Sequence, residues 1–390
     1  MSATEIVLIA NARMPSQRAQ SVQVAHMAGG FARAGASATL LHARRRATPP
    51  PPAGQDLLDF YAVPRGVRPA VVAVPCVDWI ERTPRGLQFA PARVQQLTFA
   101  RNAARRVRER HPRALVYSRE IEAARLLAGE RRVFLELHRV PGGRLRRRWL
   151  REAAPRCRGI VAISGGVRED LVALGLDPAA IRVEHDAVDL ERFAALPSRA
   201  EARAALGLPP DGPLAVYTGG LLEWKGVDVL VGAAARCPEV HFVIAGGMDA
   251  DVARVRAAAQ GLANVRVDGF QPPARVPLYL AAGDLGLVPN RSRPAISARY
   301  TSPLKVFEAL AAGLPLVASD LPSLREILSP DVDAVLVAPD DEAALAAAIR
   351  RLAGDAALRA ALAARGRRRA AEHSWDARAR RLLSWMEAAA

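Results

Sequence analysis

Residues 214–231 read Leu214-Ala215-Val216-Tyr217-Thr218-Gly219-Gly220-Leu221-Leu222-Glu223-Trp224-Lys225-Gly226-Val227-Asp228-Val229-Leu230-Val231. A short strand-like run, Leu214–Thr218, ends in two glycines, and a lysine then stands at the start of a helical stretch. Glycines let a phosphate approach the backbone, and a helix start offers free N–H groups to an anion. The stretch is thus a strand–turn–helix unit with a candidate phosphate contact in Gly219, Gly220 and Lys225. A solvated lysine after an ordinary turn would look the same, so the surroundings must decide.

The unit repeats in both directions. Downstream, strands are expected at His241–Ala245, Val265–Val267, Leu285–Val288, Leu316–Ala318 and Ala334–Val337, with helices between them. Upstream, they are expected at Ile6–Ala10, Ala38–Leu41, Val71–Val74, Leu115–Tyr117, Val133–Leu137 and Gly159–Ile163, with helices such as Ser16–Ala34, Pro91–Arg110 and Val167–Leu174. Thr48-Pro49-Pro50-Pro51-Pro52-Ala53-Gly54 is a stiff loop. This alternation predicts parallel sheets covered by helices on both faces. It pauses between about 190 and 212, where prolines and glycines cluster. The expected architecture is α/β, with two Rossmann-like doubly wound domains at 1–195 and 205–372. An amphipathic helix from about 375 to 390 packs back on the first. Ligands of such sheets bind beyond the carboxyl ends of the strands, so two domains facing across a cleft would place a ligand there.

The chain has 390 residues, 51% of them hydrophobic and 24% charged, which suits a globular protein and argues against disorder. No apolar run reaches the ~18–20 residues of a membrane span. Ile6–Ala10 is too short for a signal peptide, and no basic segment precedes it. Cys76, Cys157 and Cys237 match no metal-ligand spacing and suit a reducing cytoplasm.

The net charge of +16 is uneven: residues 1–195 hold 32 basic and 18 acidic residues, the remainder 23 and 21. The first half therefore suits an anionic partner. Arg144–Arg151 sets Leu145 and Trp149 four apart among five arginines, and Arg101–Arg113 adds a second cluster. A basic amphipathic helix with Trp suggests peripheral contact with an anionic membrane surface. A solvated arginine face is the plainer alternative. No nucleic-acid-recognition signature accompanies the charge, so nucleic acid is not expected as a partner. Only two of the 55 cations are lysines, Lys225 and Lys305. A lysine is a compact point charge, and a phosphate oxygen that needs one is not served equally by an arginine fork.

Lys305 lies in the second motif, Tyr300-Thr301-Ser302-Pro303-Leu304-Lys305-Val306-Phe307-Glu308-Ala309-Leu310-Ala311-Ala312-Gly313. Thr301 or Ser302 is expected as the N-cap, Pro303 as the first helical residue and Gly313 as the stop. The amides of Ser302, Leu304 and Lys305 would form a second anion site. Glu308, one turn after Leu304, could accept hydrogen bonds from two sugar hydroxyls.

The string SPLKVFEALAAGLPLVASDLPSLREIL, with YTGGLLEWKGVDVLV about 80 residues before it, resembles the donor-binding half of the retaining family 4 glycosyltransferases of the GT-B fold. VEHDAVDLERF and SWDARARRLL extend the resemblance, and PSQRAQSVQVAHMAGGFARAGASATLL with FLELH carries it more loosely into the first half. The resemblance implies that Lys225 contacts the donor diphosphate and that amides around Ser302–Leu304, with Thr301 and Pro303, hold the distal phosphate. It implies that Lys305 lines the same pocket, that Glu308 binds the nucleotide ribose, and that His138 reaches the transferred sugar. It implies no metal or other cofactor, so cations and helix starts must stabilise the leaving nucleoside diphosphate. Retention would follow from same-face attack, the departing phosphate helping to deprotonate the acceptor.

Two positions depart from the pattern. The first glutamate of the family's pair is Tyr300 here, and Gly220 stands where an arginine is common. Arg291, Arg293 or Arg299 is expected to supply the missing cation. The function expected is transfer of a sugar from a UDP- or GDP-sugar to a hydroxyl of a glycan or lipid-linked acceptor. The setting would be bacterial cell-surface polysaccharide or glycolipid synthesis, in the cytoplasm or at the inner face of the membrane. A non-catalytic partner subunit and a sugar-nucleotide epimerase are the alternatives.

Overall fold

The structure, a computed structural model, describes residues 3–46 and 48–389. Met1 and Ser2, at one limit of the expected first domain, and Ala390, at the end of the expected last helix, lie outside the described residues. The chain divides into two compact units, Met1–His185 with Trp375–Ala390, and Asp186–Ser374.

The first unit is built on a seven-stranded parallel sheet: β1 (Glu5–Arg13), β2 (Ser37–Arg44), β3 (Ala70–Pro75), β4 (Leu115–Ser118), β5 (Val133–Leu137), β6 (Gly159–Ala162) and β7 (Ile181–Val183). Their order is β3-β2-β1-β4-β5-β6-β7. The short edge strand β7 is absent from the sequence reading: it is three residues long and carries Arg182 at its centre. The helix Trp375–Ala388 belongs to this unit, where Trp385 meets Phe134 of β5 edge-on at 5.2 Å and Asp376 pairs with Arg33 at 2.8 Å.

The second unit holds six parallel strands: β8 (Leu214–Thr218), β9 (His241–Ala245), β10 (Val265–Gly269), β11 (Leu285–Val288), β12 (Leu316–Ser319) and β13 (Ala334–Val337). Their order is β10-β9-β8-β11-β12-β13. Every residue of β8, β11 and β12 is buried, because helices cover both faces and neither face meets water. Alternate residues feed two cores. Leu214, Val216 and Val288 pack with Phe307 on one side, and Ala215, Tyr217 and Leu287 with Leu230 and Ile349 on the other. The unit begins at Asp186, because Val188 and Phe193 join the first of these cores and the Val188 amide donates to the His373 carbonyl at 2.9 Å.

Arg203 ties this unit together. It is buried, and it donates to the carbonyls of Ala282, Pro210 and Gly212 and to the Asp284 carboxylate at 2.7 Å. Asp284 in turn accepts from the Leu214 amide, so one ion pair joins the entries of β8 and β11. Breaking a buried pair strands a charge. Arg203→Met is expected to destabilise the second unit by about 3 kcal/mol in urea unfolding.

In each sheet the strand order reverses once, between β1 and β4 and between β8 and β11. These switch points open a crevice beyond the carboxyl ends of the strands.

Candidate functional site

At the switch point of the second unit, β8 runs into Gly219 and Gly220. Gly219 has φ +123°, and a Cβ there would lie 3.1 Å from Lys305 Cε and 3.3 Å from its Nζ. The glycine therefore makes room for the second lysine of the chain. Lys305 Nζ lies 3.5 Å from the centroid of the Tyr217 ring, and the Tyr217 hydroxyl donates to the Gly220 carbonyl at 2.6 Å. Lys305 is 8% exposed, and its amine has no hydrogen-bond partner among the described residues. Burial, then the charge of Lys225, pushes its pKa well below the ordinary value, with Glu308 opposing. The two lysines thus share one electrostatic site although 80 positions separate them.

Lys225 reaches that site from a short turn, Glu223–Lys225, and not from the helix itself, which is Val227–Ala235. Gly226 joins the two with φ +67°, and any Cβ there would collide with the Pro289 carbonyl after β11. The Lys225 amine lies 3.9 Å from the Trp224 ring centroid, and burial pushes its pKa down to about 7.

The helix carrying Lys305 is Leu304–Ala312, with Pro303 as its N-cap and Gly313, φ +68°, as its stop. This corrects the expected start: neither Thr301 nor Ser302 caps it, and Pro303 precedes its first turn. Ser302 is occupied otherwise, its hydroxyl accepting from the Asp186 amide at 2.8 Å. Thr301 and Ser302 are buried ahead of the helix. The amides of Leu304 and Lys305, at the start of the helix, have no acceptor within it.

Glu308 follows Lys305 by three positions. Its Oε1 accepts from Arg192 at 3.1 Å, and Arg192 also donates to the Pro273 carbonyl at 2.6 Å. The two side chains are only 8% and 15% exposed. The pair holds one carboxylate oxygen and leaves Oε2 for other donors. Arg192 is not among the residues expected from the sequence, although it lies in VEHDAVDLERF, a string that carries part of the family resemblance. Of the three arginines expected to replace a missing cation, Arg291 is committed to Asp228 and Asp340, Arg293 is exposed, and Arg299 lies 5.9 Å from the Tyr300 ring centroid. The cation at the glycine turn is Lys305.

His138 belongs to the first unit, directly after β5. Its Nε2 lies 2.6 Å from Glu136 Oε1. Burial and Arg119 push the imidazole down to about 4, against the opposing pull of Glu136.

The basic segment forms the helix Arg144–Ala153, with Leu145 exposed. Arg146 pairs with the buried Glu122, Arg148 with Glu152, and the Trp149 ring lies under Arg125 at 5.6 Å. No helix among the described residues is long and apolar enough to cross a membrane.

The chain is 36% identical over 237 residues to D-inositol 3-phosphate glycosyltransferase of Xylanimonas cellulosilytica, covering 57% of this chain and 55% of the relative. It is 36% identical over 168 residues to the protein of that name in Mycobacterium leprae, covering 41% and 37%. The chain thus matches about half the length, or less, of these curated relatives. Among solved structures, Anabaena HepE in complex with UDP and glucose superposes with a TM-score of 0.74 at 18% identity over 99% of this chain and 100% of that one. Sucrose-phosphate synthase from Thermosynechococcus elongatus does so with 0.77 at 21% identity over 99% and 100%. At such identities the likeness is one of fold, the GT-B arrangement of two parallel-sheet units. The model "Glycosyltransferase Family 4" matches residues 20–192 and the model "Glycosyl transferases group 1" matches residues 212–355. Between them they take in most of both units, and the chain belongs to this family of glycosyltransferases.

Proposed function

We propose that this protein is a retaining glycosyltransferase. It takes a sugar from a nucleoside diphosphate sugar and passes it to a hydroxyl of a glycan or lipid-linked acceptor, in cell-surface polysaccharide or glycolipid synthesis. The observation that carries this reading is the buried Lys305 amine, unpartnered over a glycine turn and within the field of Lys225. Two neighbouring amines cannot both hold their protons at low cost unless an anion lies with them, and a diphosphate supplies that charge. In the leaving step the same amines, with the first amides of Leu304–Ala312, stabilise the charge that develops on the departing diphosphate. Glu308 Oε2 is the group we assign to the ribose hydroxyls, and His138 the group for the transferred sugar. No metal is required by this scheme. Solved relatives of the fold that hold UDP and UDP-glucose support a uridine donor.

A thermal-shift series with UDP-, GDP- and ADP-sugars tests the reading. One class at saturating concentration is expected to raise the melting temperature, since ligand that binds only the folded state stabilises it by mass action. No shift with any of the three, and no transfer to any hydroxyl acceptor, would sink it.

Peripheral binding at an anionic membrane is part of the proposal. Exposed Trp79 and Leu87 precede a helix, Phe89–Arg110, whose first residue Phe89 and whose Arg101, Arg105, Arg106 and Arg110 are also exposed. Sedimentation with vesicles of 30% anionic lipid is expected to carry the protein down at low salt and release it at high salt.

A further inference from the structure

The first unit contains a buried chain of charged groups that lies behind His138. It starts on the last helix, where Arg378 shares the inward stripe with Trp375, Leu382 and Met386. Arg378 is 0% exposed. Its Nε donates to the His185 carbonyl at 2.7 Å and its Nη2 to Glu136 Oε2 at 2.9 Å. Glu136, on β5, is equally buried. It accepts from Gln23 at 3.0 Å and from the Tyr117 hydroxyl, and the Arg119 guanidinium stands 3.6 Å away. Burial alone would raise this carboxyl. Arg378, then His138 and Arg119, hold it well below the usual carboxylate range.

The remaining contact of Glu136 is with His138. An ionised carboxylate can only accept, so the proton of a neutral imidazole must sit on Nε2, and Nδ1 keeps its lone pair. The groups that face the imidazole are Glu136, Arg119 and Arg378. Burial first, then Arg119 and to a lesser degree Arg378, outweigh the pull of Glu136 and keep the ring neutral near pH 7.

We propose that Arg378 is a positioning residue for His138: through Glu136 it locks the imidazole in the Nε2-protonated form and turns Nδ1 outward as a hydrogen-bond acceptor for a hydroxyl of the transferred sugar. The sugar clause rests on the function proposed above; the tautomer does not. The lock also gives the last helix a part in the chemistry, since a residue 240 positions downstream sets the state of the histidine.

The test is NMR of the full chain labelled with 15N-histidine, with His138 assigned by a His138→Gln variant. The wild type is expected to show a protonated Nε2, an unprotonated Nδ1 and no titration between pH 5.5 and 8. Glu136→Gln is expected to replace the single tautomer with a mixture, because an amide can donate or accept. Arg378→Met is expected to shift the His138 midpoint upward, since one cation that opposes protonation is gone. The opposite tautomer in the wild type, or a folded Arg378→Met with an unchanged His138 spectrum, overturns the lock. If Arg378→Met does not fold, the wild-type spectrum and Glu136→Gln still decide. With donor and acceptor in hand, Glu136→Gln is expected to lower kcat roughly tenfold or more at nearly constant donor KM. An altered tautomer with full kcat overturns the sugar clause alone and leaves donor binding untouched.

Discussion

Lys305→Met is expected to melt above the wild type in the absence of ligand and to transfer sugar ~10²–10³-fold more slowly, the loss seen when one preorganised charge-stabilising donor is removed. Both effects come from one atom. The Lys305 amine is buried over the Tyr217 ring, and no described residue accepts a hydrogen bond from it. Methionine is close to it in length, suits that apolar surface and carries no charge to desolvate. The catalytic loss arises because the charge is absent when the diphosphate departs.

The same group gives the unliganded protein a pH signature. Its folded pKa lies well below 10.5, its ordinary value in the unfolded chain. Over that window the unfolded state binds more protons, so stability rises with pH. Lys225, pushed down to about 7, adds a contribution of the same sign that begins near neutrality. Lys305→Met is expected to flatten most of this rise. A bound diphosphate works in the opposite direction and favours both charged amines. Nucleoside diphosphate binding at pH 8–9 should therefore take up protons, measurable by calorimetry in buffers of different ionisation enthalpy, and take up fewer in Lys305→Met. A variant that melts lower than wild type and keeps full transfer would refute this assignment of Lys305.

Glu308→Ala is expected to abolish transfer while lowering stability by about 3 kcal/mol, the order of the cost when one member of a buried ion pair is removed. The stability loss belongs to Arg192. Its guanidinium is 8% exposed and would be left with the Pro273 carbonyl as its remaining strong acceptor. Adding Arg192→Met should recover most of the stability, because the stranded charge is then gone, without recovering transfer. That separation distinguishes a carboxylate that binds ribose from one that only neutralises an arginine. Recovery of transfer together with stability would favour the second role. The contrast with Lys305 is a physical one: one variant removes a buried charge that has no hydrogen-bond partner among the described residues, the other removes the partner of a buried charge.

Much of the second unit could be read in advance because its central strands are buried on both faces. Leu214–Thr218, His241–Ala245, Leu285–Val288 and Ala334–Val337 are mainly apolar or β-favouring runs with glycine, proline or charge within two residues of each end, and all four form strands with those bounds. Strand β7 lacks such a run, since an edge strand with Arg182 at its centre has no two-sided core to fill. The cap of the helix Leu304–Ala312 was misread because a local preference for Ser or Thr yielded to a tertiary contact, the Asp186 amide on Ser302. Arg378 did leave a mark: it recurs three positions after Trp375 and four before Leu382, on the stripe that turns inward. A charged residue on such a stripe normally reaches out to solvent, and only the presence of Glu136 beneath it makes full burial tolerable.

The amino-acid chain by itself determined the alternation of strands and helices, the break between two sheets, and the rarity of its two lysines. Those properties follow from periodicity and composition, which act over a few residues or over the whole count. Tertiary structure alone decided that the Lys305 amine settles against the glycine turn in the field of Lys225, that Arg192 takes one oxygen of Glu308, and that Arg378 reaches Glu136. Each of these is a pairing of charges distant in sequence, and its strength depends on separation and on excluded water, quantities that exist only once the chain has folded.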